Sequence, residues 1–183
     1  MFERFLRLGY WSDFYIYPLA IVVLLGLGVL KAMHGYSIFS MVGLFLIGYL
    51  LWTFIEYWFH RYLFHQLPFV IRDGHTIHHH RPRECLGTPT FVSLPVYFVL
   101  VYAPLYFTVG AFFADFVVAG LLAGALSYFI VHHAVHHWRI RPGHIMYGLR
   151  RSHAIHHRHQ HVNFGVTSPL WDWVFRTRQA SLQ

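Results

Sequence analysis

Residues 116–138 read FVVAGLLAGALSYFIVHHAVHHW. The first sixteen of these carry no charge, and with their polar ends they reach the roughly 20 residues a helix needs to cross a bilayer. The stretch runs on without a helix breaker into His132, His133, His136 and His137. One continuous helix is therefore expected to leave the apolar phase with imidazoles at its end.

Three further apolar stretches lie upstream, at residues 14–30, 33–55 and 86–114. The second also continues past its apolar part, into Glu56, His60 and His65. Pro89, Pro95 and Pro104 fall in the third and predict a kinked or re-entrant helix instead of a straight rod. Gly110 and Asp115 are expected to mark the turn into the last span.

Composition agrees with this reading. Of the 183 residues, 56% are hydrophobic, 20% aromatic and only 11% charged, too few charges for a soluble surface of this size. The net charge of +7 does not point to nucleic acid, because the basic residues cap apolar runs and no recognition motif accompanies them. They read as topology signals and headgroup contacts. With four spans, Lys31 alone of the fourteen Lys and Arg residues falls on one side. The positive-inside rule then places both termini and the dense histidine segments in the cytosol.

The expected architecture is all-α: an integral membrane four-helix bundle with a cytosolic helical cap carrying a histidine-rich di-metal site. The chain reads as a single membrane-embedded domain over residues 1–183, with spans at about 14–32, 36–59, 90–112 and 115–137 and the cap at 60–88 and 138–183. The N-terminal residues 1–7 look like an amphipathic entry to the membrane and lack the parts of a signal peptide. The single cysteine, Cys85, excludes an internal disulfide and a thiolate metal cluster.

Seventeen histidines are present, and their spacing says more than their number. His60 and His65 form H-x4-H; His75, His78 and His79 form H-x2-H-H. His132/His136 and His133/His137 form two overlapping H-x3-H pairs, and His153, His156 and His157 repeat H-x2-H-H. Spacings of three and four share a helix face, so each group can present two imidazoles to one metal. Neutral imidazole suits iron, zinc, copper and nickel. Spacing alone does not choose between the overlapping pairs, or between His79 and His80. His34, His144, His159 and His161 read as ordinary polar residues. Glu56 and Asp73 stand one turn and two residues before a histidine and are candidates to accept from ring N–H groups.

These motifs resemble the fatty acid hydroxylase and sterol desaturase superfamily of membrane di-metal enzymes. The resemblance runs from about Trp52 to Thr177. It rests on His60-Arg61-Tyr62-Leu63-Phe64-His65, the triplet at His75, Tyr128-x3-His132-x3-His136, the triplet at His153, and the tail Asn163-Phe164-Gly165-Val166-Thr167-Ser168 with Trp171-Asp172. The family pattern implies ten ligands: His60, His65, His75, His78, His79, His132, His136, His153, His156 and His157. It leaves His133 and His137 aside and adds Tyr128 and Asp172 as supporting candidates. Trp52, Phe54, Tyr97 and Phe129 are candidates to wall a substrate channel.

The H-x4-H box and the 163–172 tail look most like fatty acid 2-hydroxylases. The resemblance thus implies two iron ions and O2, with zinc able to occupy the same imidazoles. The implied substrate is a lipid with an acyl or isoprenoid chain, hydroxylated at the 2-position of a fatty acyl chain. An unactivated C–H bond offers no acidic proton, so the oxidant must come from O2 at reduced metal. The chain has no flavin, haem or iron–sulfur motif. Electrons are expected from an external cytochrome b5-like or ferredoxin-like donor, for which Arg139, Arg141, Arg150, Arg151 and Arg158 offer either a docking face or, equally, contacts to lipid headgroups. The rivals are a carotenoid or sterol hydroxylase of the same superfamily and, from another class, a histidine-rich metal transporter. A transporter would place ionisable ligands near mid-membrane, where these spans have none.

Overall fold

The computed structural model describes residues 6–7, 9–33, 35–67 and 70–181. The first five residues of the expected amphipathic entry, and His34, lie outside that set. The described residues are helical and contain no strand. In chain order the helices are α1 (Asp13–Ala32), α2 (Ile38–Trp58), α3 (Val70–His80), α4 (Thr90–Tyr97), α5 (Ala103–Val109), α6 (Ala111–His137), α7 (Tyr147–Arg158) and α8 (Leu170–Val174). A π-helical stretch, Phe59–Phe64, prolongs α2, and another, Phe98–Tyr102, joins α4 to α5.

Four helical stretches are long and apolar enough to cross a membrane: Asp13–Ala32, Ile38–Phe64, Thr90–Val109 and Ala111–His137. At 1.5 Å per residue, even the 20-residue stretches span about 30 Å, the thickness of a hydrocarbon core. Many of their side chains are apolar yet exposed, among them Leu19, Val22, Leu100 and Phe107. That much apolar surface is stable only when its solvent is lipid.

The chain divides into two compact units. The first comprises residues 1–52 and 86–126. Its core is the first half of α6, where Ala114, Phe116, Ala119, Leu121, Leu122 and Ala125 are buried. Gly48 on α2 and Gly120 on α6 allow these helices to touch backbone to backbone. A Cβ at Gly48 would stand 1.9 Å from the Val117 carbonyl oxygen, and one at Gly120 would stand 2.0 Å from that of Phe45. Without a hydrophobic drive between helices in lipid, such close packing supplies the cohesion.

Of the three prolines expected to break the third span, Pro89 caps its start and Pro95 sits within α4, so only Pro104 lies beside a change of helix type. Pro104 lacks the N–H that would bond back one turn, and the wide π turn at Phe98–Tyr102 lies immediately before it. The break before α6 is narrower than the sequence suggests: Gly110 alone makes it, at φ 96°. Asp115 lies inside α6, fully buried, with Lys31 and the Tyr102 hydroxyl as partners. An ion pair, not a turn, accounts for that acidic residue.

The second unit comprises residues 53–85 and 127–183. It holds the end of α2 with its π extension, α3, the end of α6, α7 and α8.

Candidate metal centre

All ten histidines implied by the motifs lie in the second unit, and the ring nitrogens of nine of them gather in two groups. The donor nitrogens of His60, His65, His75, His79 and His156 lie within 4.8 Å of one another, as do those of His78, His132, His136 and His153.

Local helix geometry explains the membership. Residues five apart in an α-helix point about 140° away from each other at 3.6 residues per turn. His60 and His65 share a group because the Phe59–Phe64 stretch is π-wound, which widens the turn and brings the two rings together. His132 and His136 are four apart on regular α-helix and need no such adjustment. Each triplet serves both groups. His75 and His79, four apart on α3, face the first group, while His78 turns aside into the second. On α7 the assignment is reversed: His153 faces the second group and His156 reaches into the first. His157 stands at the seam, its Nε2 3.1 Å from that of His153 and its ring stacked on His79 at 4.3 Å.

In the first group the Nε2 separations are 3.1 Å for His60–His75, His65–His75 and His65–His156, 3.0 Å for His75–His79 and 3.2 Å for His79–His156. In the second they are 3.1 Å for His78–His132 and 2.8 Å for His136–His153. Donors at right angles around an ion about 2.1 Å away are about 3.0 Å apart, while tetrahedral donors are about 3.4 Å apart. Most of these nearest spacings lie closer to the right-angle value than to the tetrahedral one.

Tautomers fit as well. His60 Nδ1 pairs with the Phe164 carbonyl, and His156 Nδ1 pairs with that of Val162 at 2.8 Å. A carbonyl only accepts, so both rings carry their proton on Nδ1 and turn a bare Nε2 lone pair inward. Lone pairs converging this way suit a cation.

Burial, reinforced by neighbouring imidazoles, keeps these rings neutral. It holds His78 and His79 at about 2 and His65 at about 4. His156 is held at about 3 and His157 at about 4, while His75 and His153 lie well below 6.5. Neutral imidazole is the ligating form.

Phe64 and Phe164 wall the first group: the Phe64 ring lies 5.0 Å from His75, and Phe164 lies 5.9, 5.9 and 5.7 Å from His60, His65 and His156. The second group borders a cavity of about 310 Å³ whose lining includes His136, His153, Arg83, Arg150 and Arg158.

The remaining candidates fall as follows. Glu56 is buried, and its carboxylate accepts from the Val166 and Thr167 amides and the Thr167 hydroxyl; those bonds run to a backbone segment, not to a ring N–H. Asp172, also buried, accepts from the Phe164 and Gly165 amides and the Thr177 hydroxyl. Asp73 is exposed. Tyr128 stacks on His132 at 5.3 Å. His133 and His137 stack on each other at 4.4 Å, outside both groups, and His80 is exposed. Of the proposed channel residues, Trp52 meets Tyr97 edge-on at 6.1 Å in the first unit. In the second, Phe54 packs on Trp171 at 4.8 Å and Phe129 on Tyr128 at 5.6 Å. The sequence reading missed the carbonyls of Val162 and Phe164. Backbone atoms leave no trace in residue identity, and only the 163–168 tail motif pointed to that segment.

The family model for fatty acid hydroxylase matches residues 45–177. The chain belongs to the fatty acid hydroxylase family. All ten histidines, Glu56 and Asp172 lie within the span matched by fatty acid hydroxylase. Among curated relatives, the fatty acid 2-hydroxylase of Mus musculus is 33% identical over 153 residues, covering 74% of this chain and 39% of the relative. The ceramide very long chain fatty acid hydroxylase SCS7 of Saccharomyces cerevisiae is 35% identical over 150 residues, covering 73% and 37%. The dihydroceramide fatty acyl 2-hydroxylase FAH2 of Arabidopsis thaliana is 31% identical, covering 76% and 62%. The chain thus spans less than two thirds of each of these relatives. A solved structure of full-length scs7p, in which only the hydroxylase domain is visible, superposes with a TM-score of 0.76 at 27% identity, covering 97% of this chain and 69% of that one.

Proposed function

We propose that the chain is an O2-dependent membrane hydroxylase that places a hydroxyl group on carbon 2 of a fatty acyl chain, using two iron ions held by the ten histidines. The observation that carries this reading is the pair of Nε2 clusters, five and four nitrogens whose nearest spacings lie mostly closer to the right-angle value than to the tetrahedral one. Kinship with fatty acid 2-hydroxylases supports the choice of substrate. Bound iron supplies the power to activate O2 against a C–H bond that no side chain can deprotonate.

The protein's own groups do the rest. His60, His65, His75, His79 and His156 hold one ion; His78, His132, His136 and His153 hold the other, with His157 between them. The Phe164 and Val162 carbonyls keep His60 and His156 in the ligating tautomer. Phe64 and Phe164 limit water at the first cluster, which protects the oxidant from side reactions. The metal-bearing side faces the cytosol by the positive-inside rule. There the arginines at 83, 150 and 158, beside the second cluster, offer a cationic face to an external electron donor.

Lipid mass spectrometry of cells expressing the chain or its His156→Ala variant tests the reading. The expected result is one added oxygen at carbon 2 of acyl chains, absent with the variant. Unchanged lipids with altered cellular metal would overturn it in favour of a transporter. An oxygen gained on sterols or carotenoids would overturn the substrate alone.

A further inference from the structure

The segment 162–167 carries no ionisable side chain, yet two buried carboxylates, Glu56 and Asp172, anchor it. Glu56 Oε1 accepts from the Val166 amide at 2.6 Å and the Thr167 amide at 3.0 Å, and Oε2 accepts from the Thr167 hydroxyl. From the other end, Asp172 accepts from the Phe164 and Gly165 amides at 2.9 and 2.8 Å. Asn163 adopts φ 54° and donates its side-chain amide to the Gln179 carbonyl at 2.9 Å. Gly165 has no room for a Cβ, which would lie 2.1 Å from the Ser168 carbonyl oxygen.

So much buried anchoring is costly to assemble, because each carboxylate gives up water for peptide N–H groups. Its product is the placement of two carbonyl oxygens, those of Phe164 and Val162, which meet His60 Nδ1 and His156 Nδ1. Both rings belong to the five-imidazole cluster. Glu56 and His60 are four residues apart on the same helical stretch, so one helix face grips the segment at two points, through carboxylate and imidazole. The buried Nδ1 atoms of His79, in the same cluster, and of His153, in the other, have no such partner, so the carbonyl support is specific to His60 and His156.

We infer that Glu56 is a positioning residue for one metal of the two. It acts on the five-imidazole cluster through the 162–167 backbone, fixing the carbonyls that lock His60 and His156 in their ligating tautomer. The inference rests on the clusters being the metal sites and adds an inequivalence between them: one cluster depends on Glu56 and the other does not.

The test is metal release. The full chain is loaded with two equivalents of metal in detergent and challenged with a chelator, and each equivalent's release is followed by elemental analysis. In Glu56→Gln, which keeps the shape but replaces an accepting oxygen with a donor, one equivalent is expected to leave about 10–100-fold faster, the usual effect of losing a ligand's supporting partner. The other equivalent is expected to leave at the parental rate. Thr167→Val removes only the hydroxyl donor and should give a smaller acceleration of the same equivalent, which Thr167→Ser reverses; this series carries the test if Glu56→Gln does not fold. Parental release of both equivalents, or equal acceleration of both, would overturn the inference. A parental chain that retains no metal would overturn the assignment of the clusters themselves.

Discussion

His79 and His80 are neighbours on α3 with different fates. His79 Nε2 stands 3.0 Å from His75 and 3.2 Å from His156, while His80 is exposed. A ligand's removal leaves its cluster one donor short, whereas removal of an exposed ring costs solvation of nothing buried. His79→Ala is therefore expected to lower hydroxylation by at least about 100-fold and to reduce metal content. His80→Ala should leave both near the parental level, as read by product mass spectrometry and elemental analysis. Equal loss in the two variants would show that the clusters do not decide activity. Spacing named this pair without separating it, because adjacent helical residues carry nearly the same spacing information; the family pattern implied His79. The position of the ring relative to His156 on α7 gives the physical reason.

At the level of elements, the sequence exposed the helices and the histidine periods but not how the periods are divided. An H-x2-H-H triplet on a helix projects its second histidine about 100° away from its third, so α3 and α7 each send one ring across to the other group. Nothing in either triplet alone says which ring crosses. The π turn that unites His60 with His65 was equally hidden, since Phe59–Phe64 has ordinary helix composition. The apolar runs were legible because lipid demands continuous hydrophobicity. The helix contact at Gly48 and Gly120 was not, because twelve other glycines look the same in sequence and the role depends on a facing backbone. Gly48→Ala and Gly120→Ala would each drive a Cβ into a carbonyl on the facing helix. Each is expected to destabilise the protein by about 1–3 kcal/mol, the range for overpacking. Gly43, whose Cβ would meet nothing within 4 Å, is the control, and Gly43→Ala should be neutral or stabilising. Thermal denaturation in detergent reads all three.

For the whole molecule, charge and acidity set the operating range. The chain carries a net +7 before any metal binds, and the clusters contribute only neutral nitrogens. Burial holds His65, His156 and His157 at about 4, 3 and 4, against 6.5 for a free ring. Between those values the unfolded chain binds more protons than the folded one, so folding stability must fall as pH drops below 6.5 and be unaffected by these groups well above it. Bound metal competes with the same protons, so it should be released over the same acidic range. A thermal midpoint of the metal-free chain that stays level from about pH 7.5 to about pH 5 would contradict this. The account's central claim is that imidazoles from separate helices surround two metal ions. Its most direct test is elemental analysis of the purified chain combined with X-ray absorption at the metal edge. Two metals per chain, each with five or six light-atom neighbours near 2.1 Å, is the expected result. One metal or none, or a tetrahedral shell, would contradict it.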